Sequence, residues 1–297
     1  MIKKKKSWFK NKELDAYLYI APAFTILMTF HVLPIFLALY VSFQKWDLMS
    51  DPKFVGLANY KAMLTKSEFY SSLWNTIFYV IGSVPGGILI ALLIAMLLNS
   101  KIKGLSWYRT IYFIPVITSI NAVAIVWKWI YHGKYGLLNY IIGFIGIPPQ
   151  DWLQDPRWAM PAIILMSVWK VLGYNVVIFL AGLQNIPTHL YEAARIDGAN
   201  AWQQFRNITW PLLSPITYFI LIMSTISSFQ VFSQVYMMTP NGGPLGKTTV
   251  IVFYIYEYGF KRYKFGYASA LAFILFLIIL AMTFLQKIFI EKKVHYS

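Results

Sequence analysis

Four stretches of this chain carry no acidic or basic side chain apart from a single histidine: Ala16–Gln44, Phe69–Ser100, Asn207–Gly246 and Phe265–Gln286. About 20 apolar residues suffice for a helix to cross the hydrocarbon core of a bilayer. A fold in water has no interior large enough to hide four such runs. A shorter run, Thr110–Trp127, is extended by the aromatic segment WKWIY, and another, from Trp158 to Gly182, is interrupted only by Lys170. The pattern predicts an all-α polytopic membrane protein with six spans, at 16–43, 72–99, 107–131, 159–182, 211–238 and 266–289.

The charge balance agrees. Only 12% of residues are charged, against roughly 25% in soluble proteins. A net charge of +15 would suggest nucleic acid in a soluble chain. Here the basic residues flank apolar spans, as in KKKKSWFKNK at the N-terminus, where they set orientation and meet anionic headgroups. Membrane lipid, and no nucleic acid, is therefore the expected contact. The first apolar run exceeds the about 7–15 residues of a signal-peptide core and lacks a convincing small-residue cleavage site. The absence of cysteine excludes disulfides, thiolate-bound zinc and thiol catalysis.

An even number of spans puts both termini on one side, and the excess of Lys and Arg there, mostly in the N-terminal arm, makes it the inner side. The expected organisation is a basic arm over 1–15, a six-helix domain over 16–290 and a tail over 291–297, with no internal repeat. The short inner connection NSKIKGLSWYR makes spans two and three antiparallel neighbours. The outer connections are Lys45–Glu68, Tyr131–Arg157 with its Pro-rich IGIPPQDW, and the segment TPNGGPLGKTT.

Between spans four and five stands YEAARIDGANAWQQFRNITWPLLSP, too polar for lipid and too regular for a slack loop. Pro187-Thr188 is a helix start, with Thr188 as expected N-cap and Glu192 near the positive end of the dipole. Leu190, Ala193, Ala194, Ala201, Phe205 and Ile208 fall at helical spacing. Asp197-Gly198 is a turn signal. Two short helices bent at Gly198, with small alanines on the contact face, are expected, and Pro211 then opens the next span. Physical chemistry alone leaves two readings, an amphipathic connector resting at the interface or an element that fits a cleft in a partner.

The same segment resembles the EAA loop of ABC-importer permeases. Its pattern falls on Glu192, Ala193, Ala194, Asp197, Gly198, Ala199, Phe205, Ile208 and Pro211. The stretch from Tyr236 to Phe276, and the early APAFTILMTFHVLPIFLALYVSF and FVGLANY, are similar to the maltose and glycerol-3-phosphate type of carbohydrate permease. The resemblance implies a type I (MetI-like) permease fold in the plasma membrane of a prokaryote, with both termini cytoplasmic. It implies a second, similar permease, an ATP-binding-cassette ATPase dimer that carries ATP and Mg, and an extracytoplasmic solute-binding protein. Residues 188–208 become a cytoplasmic coupling segment, with Glu192, Ala193, Ala194, Asp197, Gly198, Ala199 and Phe205 at the ATPase contact. Carried over by register, Ser167, Lys170 and Tyr174 before that segment, and Ser224, Ser227, Ser228 and Gln230 after it, belong to the sugar pathway. Hydroxyl and amide groups with an aromatic ring suit a sugar, and small polar residues equally suit helix–helix packing.

Three further features bear on function. NGGPLGKTT lacks the first glycine of a nucleotide-binding loop, since Asn241 stands there, so it reads as a turn and this chain binds no cofactor. His31, His132, His189 and His295 show no metal spacing, and His31 reads as a helix-packing residue. Lys170 lies near mid-membrane, where it faces water, substrate or a partner's carboxylate, or else snorkels or pairs with backbone carbonyls. No acidic residue lies deep in a span, which argues against a proton-driven carrier. A sodium-coupled secondary transporter or a channel is the alternative to an importer permease, and neither reading makes the chain an enzyme.

Overall fold

The structure, a computed structural model, describes residues 12–99 and 104–291. Residues 1–11 and 292–297, most of the expected arm and tail, lie outside the described residues. In chain order the helices are α1 (Lys12–Leu27), α2 (Leu33–Ser42), α3 (Ala58–Leu64), α4 (Ser67–Leu98), α5 (Leu105–Ile117), α6 (Ile120–Ile130) and α7 (Leu137–Gly143). They continue with α8 (Ala159–Gln184), α9 (Thr188–Ile196), α10 (Ala201–Gln204), α11 (Trp210–Phe229), α12 (Ser233–Met238), α13 (Ile251–Tyr256) and α14 (Phe265–Ile290). One two-stranded ribbon, β1 (Gln44–Lys45) with β2 (Lys53–Phe54), is antiparallel.

By contact the chain divides into two units, 1–63 with 258–274 and 64–257 with 275–297. In the first unit α1 runs through a wide turn, Met28–Val32, into α2. Leu33 N–H bonds Met28 O five residues back, directly before Pro34, which has no N–H to offer. The wider register absorbs the proline within a continuous helix. The apolar window of this first span has none of its residues buried within the chain. His31 is exposed there, so the expectation that it packs helix against helix within this chain is corrected. Beyond the span, Asn59 Nδ2 donates to Ser42 O and Gln44 O, both at 2.8 Å, and fixes the entry into the ribbon.

The second unit is built on α4 and α8, which pack along much of their length. Gly82 lets the helices close, since a Cβ there would lie 2.8 Å from Ile164 Cδ1. Farther along, Ala91 and Ala95, four residues apart, present small side chains to the cluster of Val176, Phe179, Leu180 and Leu183. Leu213 and Ile220 of α11 complete it. Lipid gives helices no hydrophobic reason to associate, so close packing of small residues is the expected means. A second cluster, nearer the outer loops, gathers Tyr79, Ala124, Tyr131, Met166, Val235 and Phe253.

The third expected span, 107–131, is not one straight helix. It breaks after Ile117, and the two halves, Thr110–Ile117 and Ile120–Ile130, meet at 109°. Thr118 and Ser119 are extended, with ψ of 142° and 134°. Pro115 is part of the cause, for it removes one helical bond just before the break. The fifth expected span, 211–238, also differs. It ends at Phe229 and gives way to the separate short α12. At its other end helical structure runs back without a gap to Ala201. A wide turn, Phe205–Thr209, again precedes a proline, with Trp210 N–H bonding Phe205 O before Pro211.

The glycine-rich segment after α12 is a compact turn, as expected. Lys247 N–H is spent on Pro244 O at 3.0 Å, not presented to a ligand. Asn75 of α4, 8% exposed, donates to Gly246 O and Thr249 O, both at 3.0 Å. Thr76 Oγ1 accepts from Ile251 N–H at 2.9 Å. One turn of α4 thus anchors the whole loop. Asn75→Ala is expected to cost about 1–2 kcal/mol, the penalty for half-buried carbonyls left without their donor. The thermal midpoint in detergent reports it, and a shift no larger than that of a surface substitution would contradict the anchoring role.

Candidate functional site

The segment between α8 and α11 is a tightly specified hairpin. Its first helix begins at Thr188 with Pro187 as the flanking residue and no side-chain cap. The expected N-cap role of Thr188 is thereby corrected, because Pro187, locked at φ −61° with ψ 129°, supplies the extended entry. The helix ends at Gly198, whose φ of +79° is a left-handed conformation that a Cβ disfavours. Gly198 N–H bonds Arg195 O at 3.1 Å and Ala199 N–H bonds Ala194 O at 2.8 Å. These two bonds form a Schellman motif and satisfy the last carbonyls of α9. Asn200 then opens α10 with reciprocal bonds to Gln203: its Oδ1 accepts from Gln203 N–H at 2.9 Å, and its own N–H donates to Gln203 Oε1 at 2.8 Å. Such a box satisfies two amides at once. Tyr191 OH lies 2.9 Å from Thr209 Oγ1 and Gln204 Nε2 donates to Ala199 O at 2.9 Å, so the two arms hold each other.

Two faces result. Leu190, Tyr191, Phe205 and Ile208 pack on the cluster around Leu183, Ile186 and Leu213. The opposite face is open. Glu192, Ala193, Asp197 and Gly198 are exposed, and Ala194 and Ala199 half-buried. The face toward the bundle is made of large side chains, and the alanines expected on a contact face, Ala193, Ala194 and Ala199, lie on the open side. Phe205, expected at a partner contact, turns inward to this cluster. Two side chains that sequence reasoning passed over stand out, Ile196 at 87% exposure and Trp202 at 66%. Ile196 stands two residues before the left-handed Gly198, on the open side of the hairpin. Its signal in the sequence is an apolar residue on the polar side of an amphipathic helix.

The second constellation is a cleft of about 280 Å³ between α4, α8, α11 and α12. Of the residues assigned to a pathway by register, Ser167, Tyr174, Ser224, Ser227 and Ser228 line it. Gln230 does not, and lies exposed at the end of α11. The cleft also takes in Tyr79, Ser83, Asn175 and Gln234, which the sequence reading missed. Tyr79 and Ser83 sit four residues apart on α4, the spacing of one helical face. Gln234 Nε2 reaches Tyr79 OH at 3.4 Å, and Ser83 and Ser228 hydroxyls stand 3.3 Å apart. Ser167 Oγ is buried without a hydrogen bond of good geometry. Together these are directed donors and acceptors, with no ionised group among them, on apolar walls such as Val84, Phe219 and Ile220.

Lys170 lies elsewhere. Its Nζ donates to Pro115 O at 2.5 Å and to Val116 O at 3.0 Å, and it is not among the cleft residues. Of the alternatives expected for Lys170, the structure holds the pairing with backbone carbonyls. The broken span explains this. The last four carbonyls of a helix have no intrahelical partner, and in lipid each one left bare costs several kcal/mol. Thr118 Oγ1 takes Ile114 O at 2.8 Å, and Lys170 takes the next two.

Comparisons with known proteins place this arrangement. The family described as "binding-protein-dependent transport system inner membrane component" matches residues 55–295. A probable ABC transporter permease protein of Bacillus subtilis, YesP, is 40% identical over 93% of this chain and 90% of its own length. The arabinooligosaccharides transport system permease protein AraP of the same organism is 35% identical over 94% and 89%. The trehalose/maltose transport system permease protein MalF of Thermococcus litoralis is 36% identical over 90% of each. Among solved structures, a chain of a bacterial ABC transporter involved in the import of the acidic polysaccharide alginate superposes with a TM-score of 0.81. That chain is 22% identical, and the match covers 94% of this chain and 96% of that one. It shares the fold of an importer permease. With helices long and apolar enough for five spans and a bent pair for a sixth, this chain belongs to the family of binding-protein-dependent transport system inner membrane components, multi-pass membrane permeases.

Proposed function

We propose that this chain is a permease subunit of an ATP-binding-cassette importer for a carbohydrate. The observation that carries the proposal is the continuity of α8. Ser167, Tyr174 and Asn175 of this helix line the polar cleft, and its last residues lead through Asn185–Pro187 directly into α9. A push on the hairpin is therefore a push on one wall of the cleft. The relatives named for arabinooligosaccharides and for trehalose and maltose support a sugar as cargo. So does the cleft itself, since uncharged hydroxyl and amide groups beside tyrosine rings bind sugar hydroxyls and stack on ring faces.

In this reading the exposed face from Glu192 to Gly198 docks in a groove of a separate ATPase, where ATP and Mg are bound, with Ile196 and Trp202 as apolar anchors. The uncovered surface of the first span pairs with a second permease. A solute-binding protein delivers the sugar at the outer loops. The chain sits in the plasma membrane of a prokaryote with both termini in the cytoplasm. ATP-driven closure of the ATPase rotates the hairpin as a rigid element and swings the cleft between its two openings.

Two results test it, both read as uptake of radiolabelled oligosaccharides by cells that depend on this chain. Gly198→Asn keeps most uptake, because Asn visits the left-handed region readily. Gly198→Val lowers it about tenfold or more, since the conformation costs even an unbranched residue about 1–2 kcal/mol, and with no neighbour within 4 Å the loss reports backbone conformation alone. Equal uptake by the two variants would refute a role for the hairpin's geometry. In the cleft, Tyr79→Phe and Gln234→Ala each raise the half-saturating sugar concentration roughly fivefold, the worth of one hydrogen bond of about 1 kcal/mol. Unchanged half-saturation in both would remove the cleft from the sugar's path.

A further inference from the structure

We infer that Lys170 is a positioning residue of the transport cycle, which with Gly173 clasps the first half of the broken span to α8 so that the two helices move as one body. The inference rests on the importer reading above. Two independent contacts carry it. The first is the pair of bonds from Lys170 Nζ to Pro115 O and Val116 O, 2.5 and 3.0 Å long. A cationic group there also opposes the negative end of the α5 dipole. The second is the close approach at Gly173, where a Cβ would stand 1.9 Å from Tyr112 O. Backbone meets backbone at that point, and the two positions, three residues apart, share one side of α8.

Beside the clasp, with Tyr112 and Gly173 at its edge, an apolar recess of about 440 Å³ lies between α5 and the part of α8 that leads to the hairpin, walled by Phe113, Ile117, Val177 and Ala181. The clasp runs along the second half of α5, from Tyr112 to Val116, up to the bend into α6. Movement of α8, driven from α9, then drags the bend with it. Beyond the bend, Val123 and Ala124 of α6 sit in the same cluster as Tyr79 and Met166, so the moving body reaches the polar cleft. Lys170 thereby acts on transport through helix position and touches no sugar.

The test uses the complete importer, reconstituted in proteoliposomes, with sugar uptake and binding-protein-stimulated ATP hydrolysis measured together. Lys170→Met removes the donors but keeps a long chain that inserts well, and Lys170→Arg restores donors. Lys170→Met is expected to lower the sugar moved per ATP by about tenfold, the effect of one interaction of ordinary strength, with an unchanged half-saturating sugar concentration. Lys170→Arg recovers most of that ratio. A raised half-saturation at an intact ratio would overturn the inference and make Lys170 a sugar ligand, and an unchanged ratio in Lys170→Met would overturn it outright. A measurement on the otherwise native protein avoids any folding defect. The chain has no cysteine, so Trp107→Cys on α5 and Val177→Cys on α8, both exposed positions, can be spin-labelled as a pair. Their separation is expected to hold within about 2 Å, the size of a small helix shift, between nucleotide-free and ATP-trapped states. A larger change overturns the clasp even if transport is normal. An importer that assembles with no ATPase would instead overturn the functional reading, and this inference with it.

Discussion

Every backbone carbonyl that leaves a helix inside a membrane must find a donor in the protein, because the lipid offers none. The most consequential case here is the end of α5. A span broken at 109° is tolerable only because Thr118 and Lys170 take three of the carbonyls that the break exposes. The same constraint shapes quieter features. Wide turns precede Pro34 and Pro211, so that each missing N–H falls where the hydrogen-bond register has already shifted. The residue that is hardest to accommodate in lipid, a lysine near mid-membrane, thus becomes the means of building a bend that an uninterrupted helix could not make.

From that bend outward, the second unit is a set of rigid pieces joined at defined points. The hairpin after α8 closes its helix ends internally, through the left-handed Gly198, the Asn200–Gln203 box and the Tyr191–Thr209 bond. Little freedom remains in it to absorb a push. It rests on the inner cluster through Leu190, Tyr191, Phe205 and Ile208, while Ile196 and Trp202 stay open. A rigid element with one face seated and the other displayed suits the transmission of force. Ordinary burial would have favoured the reverse placement of Ile196.

The legibility of this architecture in the sequence follows the range of the forces involved. The spans were legible because hydropathy over 20 residues is a property of the segment alone, and the bend at Gly198 because Asp-Gly is a local turn signal. The Asn200–Gln203 box was equally local, an Asn-x-x-Gln pattern, yet the helical spacing of neighbouring apolar residues masked it. The break after Ile117 was not legible. A proline three residues before a Thr-Ser pair does not by itself mark a break, and the group that takes the carbonyls opened here is a lysine more than fifty positions away. Tyr79, Ser83 and Gln234 were missed in the cleft for the same reason, since only the packing of α4 against α8 and α11 brings them together. Lys170 was recognised as exceptional from its position, but its partner, being backbone, leaves no trace in residue identities.

The central claim is that this chain works as one part of an ATP-driven machine, with the hairpin as the point of attachment. The most direct measurement is the mass of the assembly extracted gently from native membranes through this chain, with every subunit identified. The account predicts a complex holding a second permease and two copies of a nucleotide-binding ATPase, which separates when Ile196→Asp places a charge on the displayed face. Isolation of the chain without any ATPase, under conditions that keep other importers of the same membranes whole, would contradict it.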